Sequence, residues 1–373
     1  MNIYPIALEA WQHRLDLYES IANLKFGPPA PPKDSEPSFQ FLYPPSFIPL
    51  YAPLGSLPAP WGDIVFRLIG CIGMGWMLGR LMRVQGRRWQ PFDYALLSAL
   101  TVPVSLGALQ VGQANTLLAC IVLVTCWGIR IRSPIMVGAC LAVGIAVKPF
   151  MAAPAGLAVL VLPGCVMPLL LGLTTLICLP LLMAPAPYVT EQYISFVHHM
   201  TGPCLQVTMD RFADINGLLR GIGRPLTGEW SSGLRVAAGM LLAVWVFRSR
   251  SRWNSTDLAL LWLGASVAYL MLFNPMTEAN SYCMLSVPAA LFAWRWIDAG
   301  RPAMGWAFAA ALPLMGFGSE ILRPIASHAA GSRFDLRFMP LTAIAFLLAL
   351  IRFGLPRNAR SAPDIVAEQR SRR

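Results

Sequence analysis

Residues 164–184 read Gly-Cys-Val-Met-Pro-Leu-Leu-Leu-Gly-Leu-Thr-Thr-Leu-Ile-Cys-Leu-Pro-Leu-Leu-Met-Ala, an unbroken apolar stretch with no charged side chain. A helix of about 20 such residues spans the hydrocarbon core of a bilayer. Comparable runs lie at 61–83, 92–109, 115–130, 134–147, 150–162, 233–248, 255–273, 282–296, 303–319 and 338–353. They are continuous rather than alternating, which argues against a β-barrel. The pattern predicts an all-α polytopic integral membrane protein of about eleven spans, with 134–147 and 150–162 short enough to be tilted, broken or re-entrant.

Composition agrees. Of 373 residues, 56% are hydrophobic and only 13% charged, with a mean hydropathy of +0.56. A soluble domain carries about a quarter charged residues, so a water-soluble globular enzyme is excluded. The 32 prolines and 30 glycines suit helices interrupted where they line cavities. The 8 cysteines sit mostly inside apolar runs and form no CxxC pair. They read as small core residues, not as a disulfide framework or a zinc site.

The net charge of +11 acquires meaning only once it is placed relative to the bilayer. Under an eleven-span parity, one face collects Arg80 to Arg88, Arg130, Arg132, Arg248 to Arg252, Arg295, Arg301 and the arginines from Arg352 to Arg373. That face holds 17 basic and 5 acidic residues, and the remainder holds 12 basic and 13 acidic. By the positive-inside rule the first face is cytoplasmic, as is the carboxyl terminus. The basic total is therefore topology and contact with anionic lipid rather than a nucleic-acid surface.

The expected organisation is an exterior segment 1–60 with an interfacial or re-entrant region around Tyr43, a first bundle 61–184 and a large exterior loop 185–232. A second bundle 233–353 and a basic cytoplasmic tail 354–373 follow. Within the loop, Val189, Tyr193, Phe196, Val197 and Met200 form a helical stripe opposite Glu191, Gln192, Ser195 and His199, as in a helix lying in the interface. Residues 1–60 are expected outside although no apolar segment precedes them. The simplest remedy is a start upstream of Met1 that supplies a first helix; direct translocation of a short tail is the alternative.

Several polar residues stand out against this apolar background. Lys148 interrupts about thirty apolar residues, and an ammonium at membrane depth costs about 2.5–3.5 kcal/mol on insertion scales. A lipid phosphate, or Glu278 from another loop, would compensate it. Gln113 and Asn115 sit on an exterior corner, where they can bond sugar hydroxyls or cap the helix that starts near Asn115. Arg220 is either a phosphate clamp or a solvated loop arginine. His198 and His199 point about 100° apart on a helix, so a shared metal is not expected, though either can touch a phosphate. Asp210 and Asp214 can simply pair with Arg211 and Arg220. There is no P-loop, no GxGxxG before a soluble sheet and no DxD pair, which argues against a nucleotide-sugar enzyme, and no cofactor or metal is expected.

Phe41-Leu42-Tyr43-Pro44-Pro45, then Gly112-Gln113-Ala114-Asn115, then Lys148-Pro149, in that order and at those separations, resemble glycosyltransferase family 87. The likeness continues through Asn216-Gly217-Leu218-Leu219-Arg220 and Asn274 to Tyr282. The resemblance implies a GT-C fold in a bacterial cytoplasmic membrane. It also implies inverting transfer of a hexose or pentose from a polyprenyl-phosphate sugar to a lipid-linked or polysaccharide acceptor on the outer face. Such transfer needs a carboxylate to take the acceptor proton and cations to hold the departing phosphate. Tyr43 would shape the pocket. Lys148 and Arg220 would hold phosphate; Gln113, Asn115, Glu278 and Asn280 would meet sugar or acceptor, with His198 and Asn216 as further substrate contacts. The family's catalytic Asp precedes a Tyr that resembles Tyr4, which puts it before residue 1. Within the chain, Asp16 and Glu278 are the catalytic candidates, ahead of Asp34 and Glu36. A transporter or lipid flippase, or an inactive membrane scaffold, are the rival readings.

Overall fold

A computed structural model describes residues 4–18, 41–83, 90–201, 212–275, 277–322 and 328–353. Asp34, Glu36, Asp210, Arg211 and the tail from residue 354 lie outside these, as do residues 1–3. Among the described residues all regular structure is helical.

Helix α1 (Tyr4–Gln12) and α2 (Phe47–Gly55) pack on each other and lead into the long α3 (Trp61–Arg83). Next come α4 (Pro91–Val111), α5 (Asn115–Arg130), α6 (Pro134–Val147), α7 (Ala152–Val161) and α8 (Val166–Cys178), the last prolonged by a 3-10 turn at Leu179–Leu182. The loop region holds α9 (Ala186–Thr201) and α10 (Ile215–Gly221). After it follow α11 (Gly228–Ser249), α12 (Ser255–Phe273), α13 (Cys283–Asp298), α14 (Pro302–Leu322) and α15 (His328–Phe353). Each apolar run read from the sequence falls on one of these helices.

Among the described residues five segments are long and apolar enough to cross a membrane: Trp61–Arg83, Asp93–Val111, Pro163–Leu182, Gly228–Ser249 and Ser255–Phe273. The chain is a multi-pass membrane protein. Helices α6 and α7 are shorter, and the reason is local. Pro149 disfavours helical geometry at the residue before it, so Lys148 is extended at φ −144° and closes α6. Fourteen residues rise about 21 Å, short of the ~30 Å hydrocarbon core.

Helix α12 is the axis of the bundle, packed by α5, α7, α11, α13 and α15. Its side chains from Leu258 to Val267 and on to Leu272 are almost all buried, Trp262 completely. Helices α8 and α11 stand at the periphery. Leu182 and Leu241 are 82% and 73% exposed, which an aqueous surface would penalise and lipid does not.

Candidate active site

The connections at one end of the bundle converge. Helix α4 ends at Gly112, whose φ of +73° suits glycine. The amides of Gly112 and Gln113 return to the carbonyls of Leu109 and Ala108, a Schellman closure. The turn leaves Gln113 outside the helix and starts α5 at Asn115. The residue at the cap of α5 is Ala114, which makes no side-chain cap, and Asn115 is fully buried inside the first turn. Capping is therefore not what these amides do.

They form a relay instead. Lys148 Nζ donates to Asn115 Oδ1 at 2.9 Å. Asn115 Nδ2 donates to Gln113 Oε1 at 2.6 Å, and Gln113 Nε2 donates to Glu278 Oε2. The two ends dictate the orientation of both amides. An ammonium only donates, so Asn115 must offer it oxygen; a carboxylate only accepts, so Gln113 must offer it nitrogen. Each amide polarises the next, which strengthens the chain beyond isolated bonds. Lys148 and Glu278 thus communicate through two neutral groups. Among the described residues they form no direct salt bridge, and no carboxylate lies within ion-pair distance of Lys148.

Aromatic rings complete the surroundings of the ammonium. Lys148 Nζ lies 5.3 Å from the centroid of the Tyr43 ring and 5.6 Å from that of Phe150, both within cation–π range. Tyr43 is itself braced: its hydroxyl accepts from Tyr4 Oη at 2.7 Å and from the Ala114 amide at 3.4 Å. Its carbonyl accepts from Tyr18 Oη at 2.9 Å. Ser46 ties the same segment to α6 through the carbonyl of Ala146 at 2.9 Å. The order Phe41-Leu42-Tyr43-Pro44-Pro45 becomes a buried aromatic cluster with Tyr4, Phe47, Tyr51 and Phe66, each ring pair contributing about 0.5–1.5 kcal/mol beyond burial.

Glu278 and Asn280 belong to the segment between α12 and α13. Thr277 secures it, its hydroxyl donating to the carbonyls of Leu270 and Asn274, both at 3.1 Å. Asn280 Oδ1 presses on α4 at Gly107, where a Cβ would sit 2.5 Å away; any larger residue there would displace the amide. Ser281 Oγ accepts from Asn115 Nδ2 at 3.5 Å. The structure thus brings Tyr43, Gln113, Asn115, Lys148 and Glu278 into one constellation, with Asn280 beside it.

The other candidates lie elsewhere. Asp16 accepts from the Tyr18 amide at 2.7 Å and from Ser195 Oγ at 2.6 Å, a local turn strapped to α9. Leu17 N donates to Gln192 Oε1 at 2.9 Å. Gln192 is therefore buried and Val197 is 57% exposed, so the buried face of α9 runs through Val189, Gln192 and Phe196. The amphipathic stripe had set Gln192 opposite that face. The polar side chain turned inward because an amide of the first segment needed an acceptor there. His198 is exposed, whereas His199 lies 5.7 Å from the Tyr18 ring, and burial pushes its pKa below the ordinary histidine value.

Asn216 Oδ1 accepts from the Leu226 amide at 2.8 Å, and so holds the loop after α10. Arg220 is half-buried in the last turn of that helix. Asp214 caps α10 through the Gly217 amide at 2.7 Å and faces Arg235 of α11 at 3.6 Å. Burial raises its pKa against the opposing pull of these partners. Of the two partners that sequence reasoning offered, Arg220 also pulls on this carboxyl electrostatically, and Arg211 lies outside the described residues. That reasoning passed over Arg67 of α3, whose guanidinium fits against Gly112, where a Cβ would lie 2.9 Å from Nη2. A cation inside an apolar run was the available signal.

The model of glycosyltransferase family 87 matches residues 41–275, which take in Tyr43, Gln113, Asn115, Lys148, Asn216 and Arg220. No curated protein matches the chain.

Proposed function

As a member of glycosyltransferase family 87, the chain is a membrane glycosyltransferase, and we propose that it moves a hexose or pentose from a polyprenyl-phosphate sugar to a lipid-linked or polysaccharide acceptor, with inversion. The observation that carries this reading is the Lys148–Asn115–Gln113–Glu278 relay. It presents a cation that, among the described residues, has no carboxylate within ion-pair distance at one end and a carboxylate at the other.

In the proposed reaction the acceptor hydroxyl oxygen attacks the anomeric carbon while the bond from that carbon to the phosphate oxygen breaks. The hydroxyl proton passes to Glu278. The negative charge that develops on the departing polyprenyl phosphate meets Lys148, which has donor capacity beyond its single bond to Asn115. The intervening amides hold both charges at a set separation and bond sugar hydroxyls; Arg220, Asn216, Asn280 and His198 serve as outer contacts. Asp16, strapped to α9, fits the positioning of the first segment better than proton transfer.

Asn115 starts α5, whose last turn carries Arg130, and Glu278 precedes α13, whose last turn carries Arg295. The positive-inside rule then puts the chemistry on the outer face of the cytoplasmic membrane and the carboxyl terminus inside. Eleven spans arranged as a GT-C bundle agree with that parity, with 61–184 and 233–353 as its two halves. The test is transfer from a purified polyprenyl-phosphate sugar by reconstituted protein. Removing one charge-stabilising group from such a site costs roughly 10²–10³ in rate, so Lys148→Ala should lose that much; full activity in this variant would remove the phosphate role.

A further inference from the structure

At the opposite end of the bundle a second polar constellation is left unused by this chemistry. A hollow of about 330 Å³ opens between α5, α7, α11 and α12, lined by Arg132, Arg250, Ser251 and Ser255 together with Ile129, Val161, Leu162 and Leu258. We infer that this hollow is a binding site for the phosphate headgroup of an anionic phospholipid, with its apolar wall taking the start of an acyl chain.

The backbone at Arg132 points to a selected side chain. Helix α5 closes in a Schellman motif: the amide of Ser133 bonds the carbonyl of Gly128 at 2.9 Å, and that of Arg132 bonds Ile129 at 3.1 Å. The residue at Arg132's position in that motif adopts left-handed geometry and is usually glycine. Here it is an arginine at φ +53°. Strain of this kind persists where the side chain serves a purpose that glycine cannot.

The charges around it agree. Arg250 donates to the carbonyl of Leu160 at 3.5 Å and stacks 4.0 Å from the Phe247 centroid. Among the described residues neither Arg132 nor Arg250 has a carboxylate within ion-pair distance. Asp257, in the first turn of α12, is held by Arg295 at 2.9 Å and by Asn254 at 2.8 Å. Asn254 also caps α12 through the Asp257 amide at 2.9 Å, which leaves the amides of Ser255 and Thr256 without an intrahelical acceptor. Two guanidinium groups, two hydroxyls and the positive end of a long helix form an anion site. The mixed polar and apolar lining, at the end of membrane helices, selects a lipid over a soluble anion.

The decisive measurement is native mass spectrometry of protein extracted from vesicles of equal phosphatidylglycerol and phosphatidylcholine. Wild-type protein should retain phosphatidylglycerol in preference. Each arginine facing an anionic headgroup should contribute about fivefold to that preference, so Arg132→Gly and Arg250→Gln should each lower it by about that factor and the double variant should abolish it. Arg132→Gly relieves the backbone, so its melting temperature in pure phosphatidylcholine should be no lower than wild type, which separates lost binding from lost folding. Equal retention of the two lipids by wild type, or undiminished preference in the double variant, would overturn the proposal. So would displacement of the lipid by inorganic phosphate beyond that caused by chloride at equal ionic strength, which would identify a soluble anion as the occupant.

Discussion

The two ends of the helix bundle handle positive charge in opposite ways. At one end Lys148 is enclosed by Tyr43, Phe150 and Asn115, and its link to Glu278 runs through oriented amides. At the other, Arg132 and Arg250 stand exposed beside an open hollow. A charge sheltered from water interacts strongly and falls off little with salt, whereas an exposed one is screened within about 10 Å at 0.1 M. The first arrangement suits a step in which charge develops at a defined atom. The second suits a headgroup that exchanges with the bilayer.

Breaking the first end should have the largest effect. Glu278→Gln keeps the volume and an oxygen for Gln113 but removes the proton acceptor, so transfer should fall by about 10²–10⁴ with little change in donor KM. An unaltered turnover number in this variant would assign the proton to another carboxylate. Asn115→Leu would sever the relay at its buried centre and leave Lys148 and Gln113 without their shared partner, a loss of about 1–3 kcal/mol in stability that chemical denaturation in detergent would detect.

The second end should respond in the opposite sense. Arg132→Gly removes a left-handed L-residue and should stabilise the fold by up to about 1 kcal/mol, read as a higher melting temperature in neutral detergent; a lower one would mean that Arg132 holds the fold together. The smallest expected effect lies beside the first end, at α9. Burial depresses the His199 pKa, opposed by Asp16 and assisted by His198. The neutral imidazole therefore contributes stability that is complete above the unfolded value of about 6.5 and is lost as pH falls through the lower folded one. His199→Gln should flatten the acid limb of a melting-temperature profile as pH falls below about 6.5.

Much of the fold was legible because lipid imposes a simple rule: apolar side chains everywhere and backbone bonds satisfied within each helix. The runs at 61–83, 115–130, 134–147 and 255–273 coincide with helices to the residue. The site was legible in part. Lys148, Gln113, Asn115 and Glu278 were conspicuous as polar groups in or beside apolar runs, but their order of bonding was not, because 165 residues separate Gln113 from Glu278. Asn216 was read as a substrate contact, and its side-chain oxygen also ties the loop after α10. Arg67 was passed over because it lay within a run read as featureless, and Gln192 because periodicity assigns a face without knowing what packs on it.

The amino-acid sequence determined by itself that this chain is a helical membrane protein, roughly where its apolar helices lie, and which few polar residues its apolar segments contain. Composition, proline and glycine act locally, so local reading recovers them. Only the tertiary structure decided which of those residues meet. The direction of each amide, the ring that covers Lys148 and the carboxylate that ends the relay depend on contacts between distant segments, and a hydrogen bond exists only where both partners arrive within about 3 Å.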